Sequence, residues 1–465
     1  MMGAGALGLL FVFLMYPEND HARLWSNLLI NVYYFTGIGL FGLFVVAAAQ
    51  LAYGGWHTLN KRIFLSLSAF ASIGGFLLFA IWLLGPVLHV HTLYEHVSHI
   101  FHEPNNPKYS TKLIFFAPAF WGGRILVYAT LWFLFSLLMN SFFARTDQTD
   151  PKVYKKSKLL SAAFIVVFAV TESAVSWDMI MSIDPHWYST LFGWYNFASY
   201  GCAAWAMTII LVLFLKSKGY LEQVNENHIH DLGKMLFGFS IFWTYLWFDQ
   251  FMLQWYANIP EDTNFWVKRF DVSYFKITVF GALIVNFVFP LFFLIKRTAK
   301  RNFRLIAFGA GLLIFGHYVD FFNYTFFEPN QNTAKTEHDG GHHAVNNTET
   351  PVLSAEVKEG EQHNDQHTST DAAAEVTTTA EHTTHTEAGK PAEHNTHAAP
   401  HGGHEGHGAE AVSNFASIGL GELLTFIGFL GLFLYMFFNN LAKRPIVPES
   451  DPYLKEAENL TVTYA

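Results

Sequence analysis

The chain has 465 residues, of which 52% are hydrophobic, 17% aromatic and only 14% charged. Soluble domains carry about 25% charged residues, so this composition excludes an ordinary soluble protein. The net charge of −9 comes mostly from residues after 327, so it gives no indication of nucleic-acid binding, and we expect none.

Long apolar runs alternate with short charged loops, which is the pattern of a polytopic membrane protein. We predict an all-α fold of about ten transmembrane helices, arranged as two four-helix bundles plus flanking helices. Most runs reach the ~20 residues that cross a ~30 Å hydrocarbon core; the first is short, so the true N-terminus is left open. The predicted spans are 1–16, 25–53, 62–84, 120–143, 157–177, 195–215, 233–256, 273–295, 303–324 and 415–438.

A weak internal symmetry groups these spans. The first bundle takes 25–177 and includes an outer His-rich loop at 85–119; the second takes 195–324. In each bundle the third helix begins at a cation, Arg124 or Lys276, and ends at a basic loop, as in folds built by duplication.

The rest of the chain is polar. Residues 328–413 are acidic and rich in His and Thr, with too few apolar side chains to form a core, so we predict a disordered outer loop. The tail is 439–465. Most of the 28 Lys and Arg residues follow spans 2, 4, 6 and 8 or lie in this tail, which predicts cytoplasmic termini.

Titratable residues lie inside several spans. Counted from the basic residue at the start of each helix, Glu172, Asp249 and His317 are 13–15 residues deep, or ~20–22 Å, which predicts a shared level. Asp320 lies one turn further out, and Asp178 lies near the outer interface. Asp184 and His186 form the outer turn. Intramembrane carboxylates and histidines commonly relay protons, so the first five are candidates for proton transfer.

Two interpretations of these buried titratable residues remain: proton transfer, and structural ion pairs that fix helix register. We expect Arg124 to pair with Glu172 or Asp178, and Lys276 with Asp249 or Asp320. Only neutral polar residues are available on the cytoplasmic half of a path: Ser136, Asn140, Ser161, Thr208, Ser240 and Asn286.

Metal and quinone sites have weaker support. His96, His99 and His102 share one helix face, which favours an amphipathic surface helix over a metal site. We therefore predict no metal. Trp243, Trp247, Phe248 and Trp255 could line a quinone pocket, although such aromatic residues more often form interface belts.

The stretch "SWDMIMSIDPHWYSTLFGWYNFAS", the ten-span plan and the tail "KRPIVPESDPYLKEAE" resemble the F subunit of bacterial alternative complex III, a relative of polysulfide-reductase-type membrane subunits. The resemblance covers most of 20–330 and 415–460. It implies a bacterial inner-membrane subunit of a quinol-oxidising respiratory complex, with a proton-conducting role.

The same resemblance implies that the redox centres lie on other chains. Partners would be a paralogous membrane subunit, an iron–sulfur subunit, multihaem and monohaem cytochrome c subunits and a terminal oxidase. The chain's one cysteine, Cys202, agrees with this, since it cannot ligate a cluster alone, and no covalent haem motif occurs. The alternatives are a purely structural scaffold, a subunit that itself contacts quinone, and a stand-alone secondary transporter.

Overall fold

A computed structural model describes the backbone of residues 1–15, 18–94, 97, 100–101, 110–145, 150–184, 187–271, 273–325, 418–447 and 451–460. Some side chains within these ranges, including that of Lys276, are outside the description. The predicted loop 328–413, the histidines His96, His99 and His102, and His186 lie outside the described residues.

Among the described residues, ten helices of 11 to 34 residues correspond to the ten predicted spans. Their bounds are α1 Met2–Met15, α2 Glu18–Leu51, α3 Lys61–Trp82, α4 Pro118–Arg145, α5 Pro151–Met179, α6 Leu191–Ser217, α7 Glu226–Ala257, α8 Ser273–Leu283, α9 Phe303–Thr325 and α10 Leu420–Leu441. Two of them continue through π-turns, α3 at Leu83–Val87 and α8 at Ile284–Val288 followed by Phe289–Phe293. Short helices cover Thr58–Asn60, Ser110–Phe115, Met181–Ile183, Pro260–Asp271, Arg297–Arg301 and Leu454–Glu458.

Local chemistry explains where two of these helices begin. Asp150 accepts a hydrogen bond from the backbone N–H of Lys152 at 2.8 Å, and Pro151 occupies the first turn of α5, where its missing N–H is harmless. Asn225 caps α7 by accepting from the backbone N–H of Asn227 at 2.8 Å. This cap starts α7 seven residues before the predicted span at 233.

The helices pack as two groups of four. α2 lies against α3 and α5, α3 lies against α4, and α4 lies against α5; in the second group α6 lies against α7 and α9, and α8 lies against α9. The groups meet through α6, which packs on both α2 and α5. The described residues form helices and no strand, so the predicted all-α fold with two bundles and flanking helices is confirmed.

The flanking helices α1 and α10 cross at glycines. A Cβ built on Gly5 would lie 2.4 Å from the Cα of Gly428, so only glycine allows the two backbones to approach this closely. Gly8 contacts α10 in the same way at Thr425, whose backbone nitrogen would lie 2.8 Å from an added Cβ. α10 also packs on α3 and α2, which attaches this pair to the first bundle.

Seven of the helices in the described part of the chain are long and apolar enough to cross a membrane, namely α2 to α6, α9 and α10 with their extensions. α1 and the segment Ile277–Phe293 are shorter apolar helices. The chain is therefore a multi-pass membrane protein. We call the end that carries Arg62, Lys158 and Lys300 the basic end, and the opposite end the far end.

The tail folds back over the basic end. Asp451 Oδ2 accepts from Lys61 Nζ at 2.7 Å, and both side chains are buried. His228 Nδ1 accepts from the backbone N–H of Asn225, so its Nε2–H donates to the carbonyl of Ala457 at 2.8 Å. Residues 451–460 thus tie α3 to α7, which the tail's polar composition did not predict.

Candidate functional site

Asp320 lies at the centre of a buried polar cluster in the second bundle. Its side chain, 3% exposed, accepts hydrogen bonds from three neutral donors: the hydroxyl of Tyr195, Ser199 Oγ at 3.1 Å and Trp243 Nε1 at 3.1 Å. Among the residues described, it has no ion pair. A carboxylate that accepts hydrogen bonds only from neutral donors can bind a proton without breaking an ion pair, because no fixed cation stabilises its charged form.

His317 extends this cluster by one hydrogen bond. Its Nδ1 lies 3.0 Å from Ser199 Oγ, and its ring meets the Trp243 ring edge-on at 5.3 Å between centroids. A serine hydroxyl has one proton; since it donates to Asp320, Nδ1 of the imidazole must be the donor to Ser199. His317, Ser199 and Asp320 therefore form an ordered relay. The other ring nitrogen, Nε2, is buried and has no partner among the described residues.

Glu172 lies in the first bundle beside a small cavity. Ser173 donates to its Oε2 at 3.2 Å, whereas Oε1 is buried and unpaired in the described part of the chain. The hydroxyls of Tyr33, Thr36 and Tyr200 border the same cavity, and that of Tyr200 interacts with the Glu172 carboxylate. The cavity volume is about 10 Å³, which is near the smallest that holds one water. Four polar atoms around that space fit a single bridging water.

Two neighbouring residues of α6 connect these sites. Ser199 belongs to the Asp320 cluster, and Tyr200 borders the Glu172 cavity. Glu172 and His317 therefore lie at one level of the fold. On α2, Tyr33 borders the cavity, and its ring lies 5.6 Å from that of Phe321, the residue after Asp320.

Asp249 does not share this level. It follows Trp243, which contacts Asp320, by six residues on α7, so it lies about 9 Å nearer the far end. It is half-buried, and the described residues give it no hydrogen bond or ion pair. The depth count from Lys234 therefore placed Asp249 too near the level of His317.

Asp178 pairs with Arg124, one of the two partners expected for that arginine. Arg124 Nη2 lies 2.6 Å from Oδ1 of Asp178, and its Nε donates to Oδ2 at 3.2 Å. The guanidinium also contacts the rings of Phe115 and Phe120. Two hydrogen bonds and the charge pairing join this carboxylate to Arg124, so the pair connects α4 to α5. The predicted pairing of Lys276 concerns a side chain outside the described part.

The outer turn of the sequence motif packs against the far end. Asp184 is half-buried, and its carbonyl accepts from the backbone N–H of Trp187 at 3.2 Å. The rings of Trp187 and Phe265 stack with their centroids 3.9 Å apart. The guanidinium carbon of Arg269 lies 3.4 Å from the centroid of the Phe265 ring. The motif therefore docks the Pro260–Asp271 helix.

A polar column on α2 extends from Glu172's level to the far end, and sequence reasoning missed it. Arg23, Asn27, Asn31 and Tyr34 recur at spacings of four, four and three, which places them on one helix face, and all are buried. Asn31 Nδ2 donates to the hydroxyl of Tyr318 at 3.2 Å. The spacing of polar residues within an apolar helix was the available signal.

The basic half contains the neutral residues that were expected. Ser161 is buried and unpaired in the described part, whereas Thr208 and Ser240 bond to carbonyls of their own helices. Asn286 lies in the π-turn of α8, fully buried, and neither amide atom has a partner among described residues. A Cβ on Gly316 would lie 2.2 Å from Asn286 Oδ1, so this glycine brings the π-turn beside His317.

The aromatic residues considered for quinone do not converge. Trp243 is fully buried and bonded to Asp320, whereas Phe248 and Trp255 are more than half exposed. A separate apolar groove of about 380 Å³ lies between α6, α9 and α10, lined by residues such as Phe214, Phe315 and Phe438.

No group of three or more His, Cys, Asp or Glu residues within the described ranges could hold a metal ion. No protein-family model and no curated protein matches the chain.

Proposed function

We propose that this chain is an integral membrane subunit of a quinol-oxidising respiratory complex of the alternative complex III type and supplies part of a proton-transfer path. The observation that supports the path is the ordered relay His317–Ser199–Asp320, whose carboxylate has only neutral donors. Glu172, with an unpaired oxygen on a water-sized cavity, would continue the path through the first bundle.

The sequence resemblance supports the proposed location, orientation and partner chains. The chain lies in the bacterial inner membrane with both termini and the basic end in the cytoplasm. Quinol oxidation and electron transfer occur on partner chains that carry iron–sulfur clusters and haem c. The polar column from Arg23 to Tyr34 then forms the outward half of the path, and bound water completes the cytoplasmic half.

The test uses the complex purified from native membranes. Its subunit list and haem spectrum decide first whether multihaem and cluster-bearing subunits accompany the chain. Asp320→Asn and Glu172→Gln are then compared with Asp249→Asn, a control carboxylate in the second bundle outside the relay. We expect the first two variants to assemble and to release fewer protons per quinol, with the control unchanged. Unaltered proton release in assembled Asp320→Asn and Glu172→Gln would refute the path.

Two alternatives have observations of their own. A scaffold role is favoured by the buried pair of Arg124 and Asp178, which connects two helices; it predicts normal proton release in every variant that assembles. Direct contact with quinone is favoured by the apolar groove between α6, α9 and α10. It predicts that narrowing the groove with Gly311→Phe slows quinol oxidation.

A further inference from the structure

A cavity of about 290 Å³ lies at the basic end between α3, α4 and α10. A single water needs about 10–15 Å³ on this measure, so the cavity has room for a much larger group. Its lining combines cationic, amide, hydroxyl and apolar side chains, among them Arg62, Leu137, Asn140, Asn440, Lys443 and Arg444. No carboxylate occurs among these residues.

Arg62 is the feature that calls for a ligand. Its side chain is 3% exposed, and its Nε and Nη2 are buried without a hydrogen-bond partner among the described residues. Arg444, close enough to act electrostatically on Arg62, adds a second positive charge, and Lys443 adds a third at the rim. Burying an arginine beside like charge is costly, so an anion bound in the cavity would relieve both the desolvation and the repulsion.

The cavity floor is already organised. Asn140 Nδ2 donates to Ser68 Oγ at 2.7 Å, and Ser136 Oγ donates to the Ser68 carbonyl at 3.0 Å. Asn440 Nδ2 reaches Asn140 Oδ1 at 3.4 Å, which ties α10 to α4. These bonds fix the walls of the cavity that Arg62 lines.

The mouth of the cavity indicates what carries the anion. Leu137 lines it and is 50% exposed, and Leu134 and Leu138 on the same helix are also about half exposed. On a membrane-spanning helix such side chains face acyl chains. A ligand that enters here therefore meets cations at the basic end and an apolar surface beside them, which suits an amphiphile. Basic pockets between membrane helices bind anionic headgroups in this way.

We propose that this cavity binds a phosphate group, carried by the headgroup of an anionic phospholipid. The phosphate oxygens accept hydrogen bonds from the Arg62 guanidinium, an arrangement that guanidinium and phosphate geometry favours. Lys443 and Arg444 hold the remaining charge at the rim, and the acyl chains extend along Leu137. The site is independent of the proton relay.

The test measures lipid bound to the full-length protein after purification in mild detergent. Native mass spectrometry counts retained phospholipids, and delipidated protein is titrated with phosphatidylglycerol, with phosphatidylcholine and with inorganic phosphate. Arg62→Gln removes the buried charge, Lys443→Gln removes a rim charge without disturbing packing, and Arg304→Gln is a control at an exposed cation of the same end.

We expect one phosphatidylglycerol per wild-type chain. Its affinity should fall about tenfold or more in Arg62→Gln, the loss expected for a charge-assisted hydrogen bond, and by a smaller factor in Lys443→Gln. Arg304→Gln should bind like the wild type. Equal retention of phosphatidylcholine, or an unchanged affinity in Lys443→Gln when Arg62→Gln does not fold, would overturn the proposal. Binding of inorganic phosphate as tight as that of the lipid would overturn the lipid assignment, and no retained anion would mean that the chain neutralises Arg62 itself.

Discussion

Glu422→Gln should destabilise the protein more than its conservative chemistry suggests. Glu422 Oε1 lies 2.6 Å from Arg23 Nε, and both side chains are completely buried. Its other oxygen accepts from the backbone N–H of Gly419 at 2.9 Å at the start of α10. Glutamine can keep this cap, so the substitution removes the charge pairing between α2 and α10.

The expected loss follows from the burial of the pair. Breaking a buried ion pair from one side costs about 3–5 kcal/mol, because the remaining charge stays desolvated. Unfolding entropy is about 2.1 cal/mol/K per residue, or about 0.8 kcal/mol/K for the unit Met1–Glu337 with Gly408–Ala465. A loss of 4 kcal/mol then lowers the unfolding temperature by about 5 °C.

The assay is thermal unfolding of the detergent-solubilised protein as a double-mutant cycle of Glu422→Gln, Arg23→Met and the double variant. We expect the double variant to lose less stability than the two single variants lose together, since neither charge is left buried without its partner. Glu226→Gln, in the exposed first turn of α7, is the control and should change stability by less than about 0.5 kcal/mol. A loss below about 1 kcal/mol in Glu422→Gln, or strict additivity, would refute the reasoning.

Three further predictions test other parts of the structure. Burial, together with the charge of nearby Lys61, lowers the pKa of His57 to about 3, so the folded chain keeps the ring neutral while the unfolded chain protonates near pH 6.5. Stability should therefore fall by about 2 kcal/mol from pH 7 to pH 5, and His57→Gln should flatten this dependence in unfolding scans. Gly428→Leu should separate α1 from α10 and speed hydrogen exchange in α1, whereas Gly3→Leu, where an added Cβ meets open space, should not. If one path uses both residues, combining Ser199→Ala with Tyr200→Phe should reduce proton release by less than the sum of the two single reductions. A double reduction equal to that sum would indicate two paths.

Most of the helices could be predicted because their apolar runs are long enough to span a membrane and end at polar residues. Their exact starts could not, since α7 begins at a cap, Asn225, and its first turns are buried by the tail. The Pro260–Asp271 helix was also missed; its polar sequence gives no span signal, and its position depends on Trp187.

The site was only partly predictable for a similar reason. His317 and Asp320 are three residues apart, so the sequence alone places them on one helix face. Their partners Tyr195, Ser199 and Trp243 come from α6 and α7, and only tertiary packing brings these together.

The buried ionisable groups divide into two kinds according to their partners. Arg23 with Glu422, Lys61 with Asp451, and Arg124 with Asp178 are ion pairs that connect elements near the ends of the helices. Glu172, His317 and Asp320 lie deeper, where desolvation is greatest, and the described residues give them only neutral partners. An ion pair at that depth would fix helix register and resist a change of protonation. Hydroxyl and indole donors stabilise a carboxylate less strongly, so loading and unloading a proton there requires no ion pair to break. That contrast favours proton exchange over a structural role for the central groups.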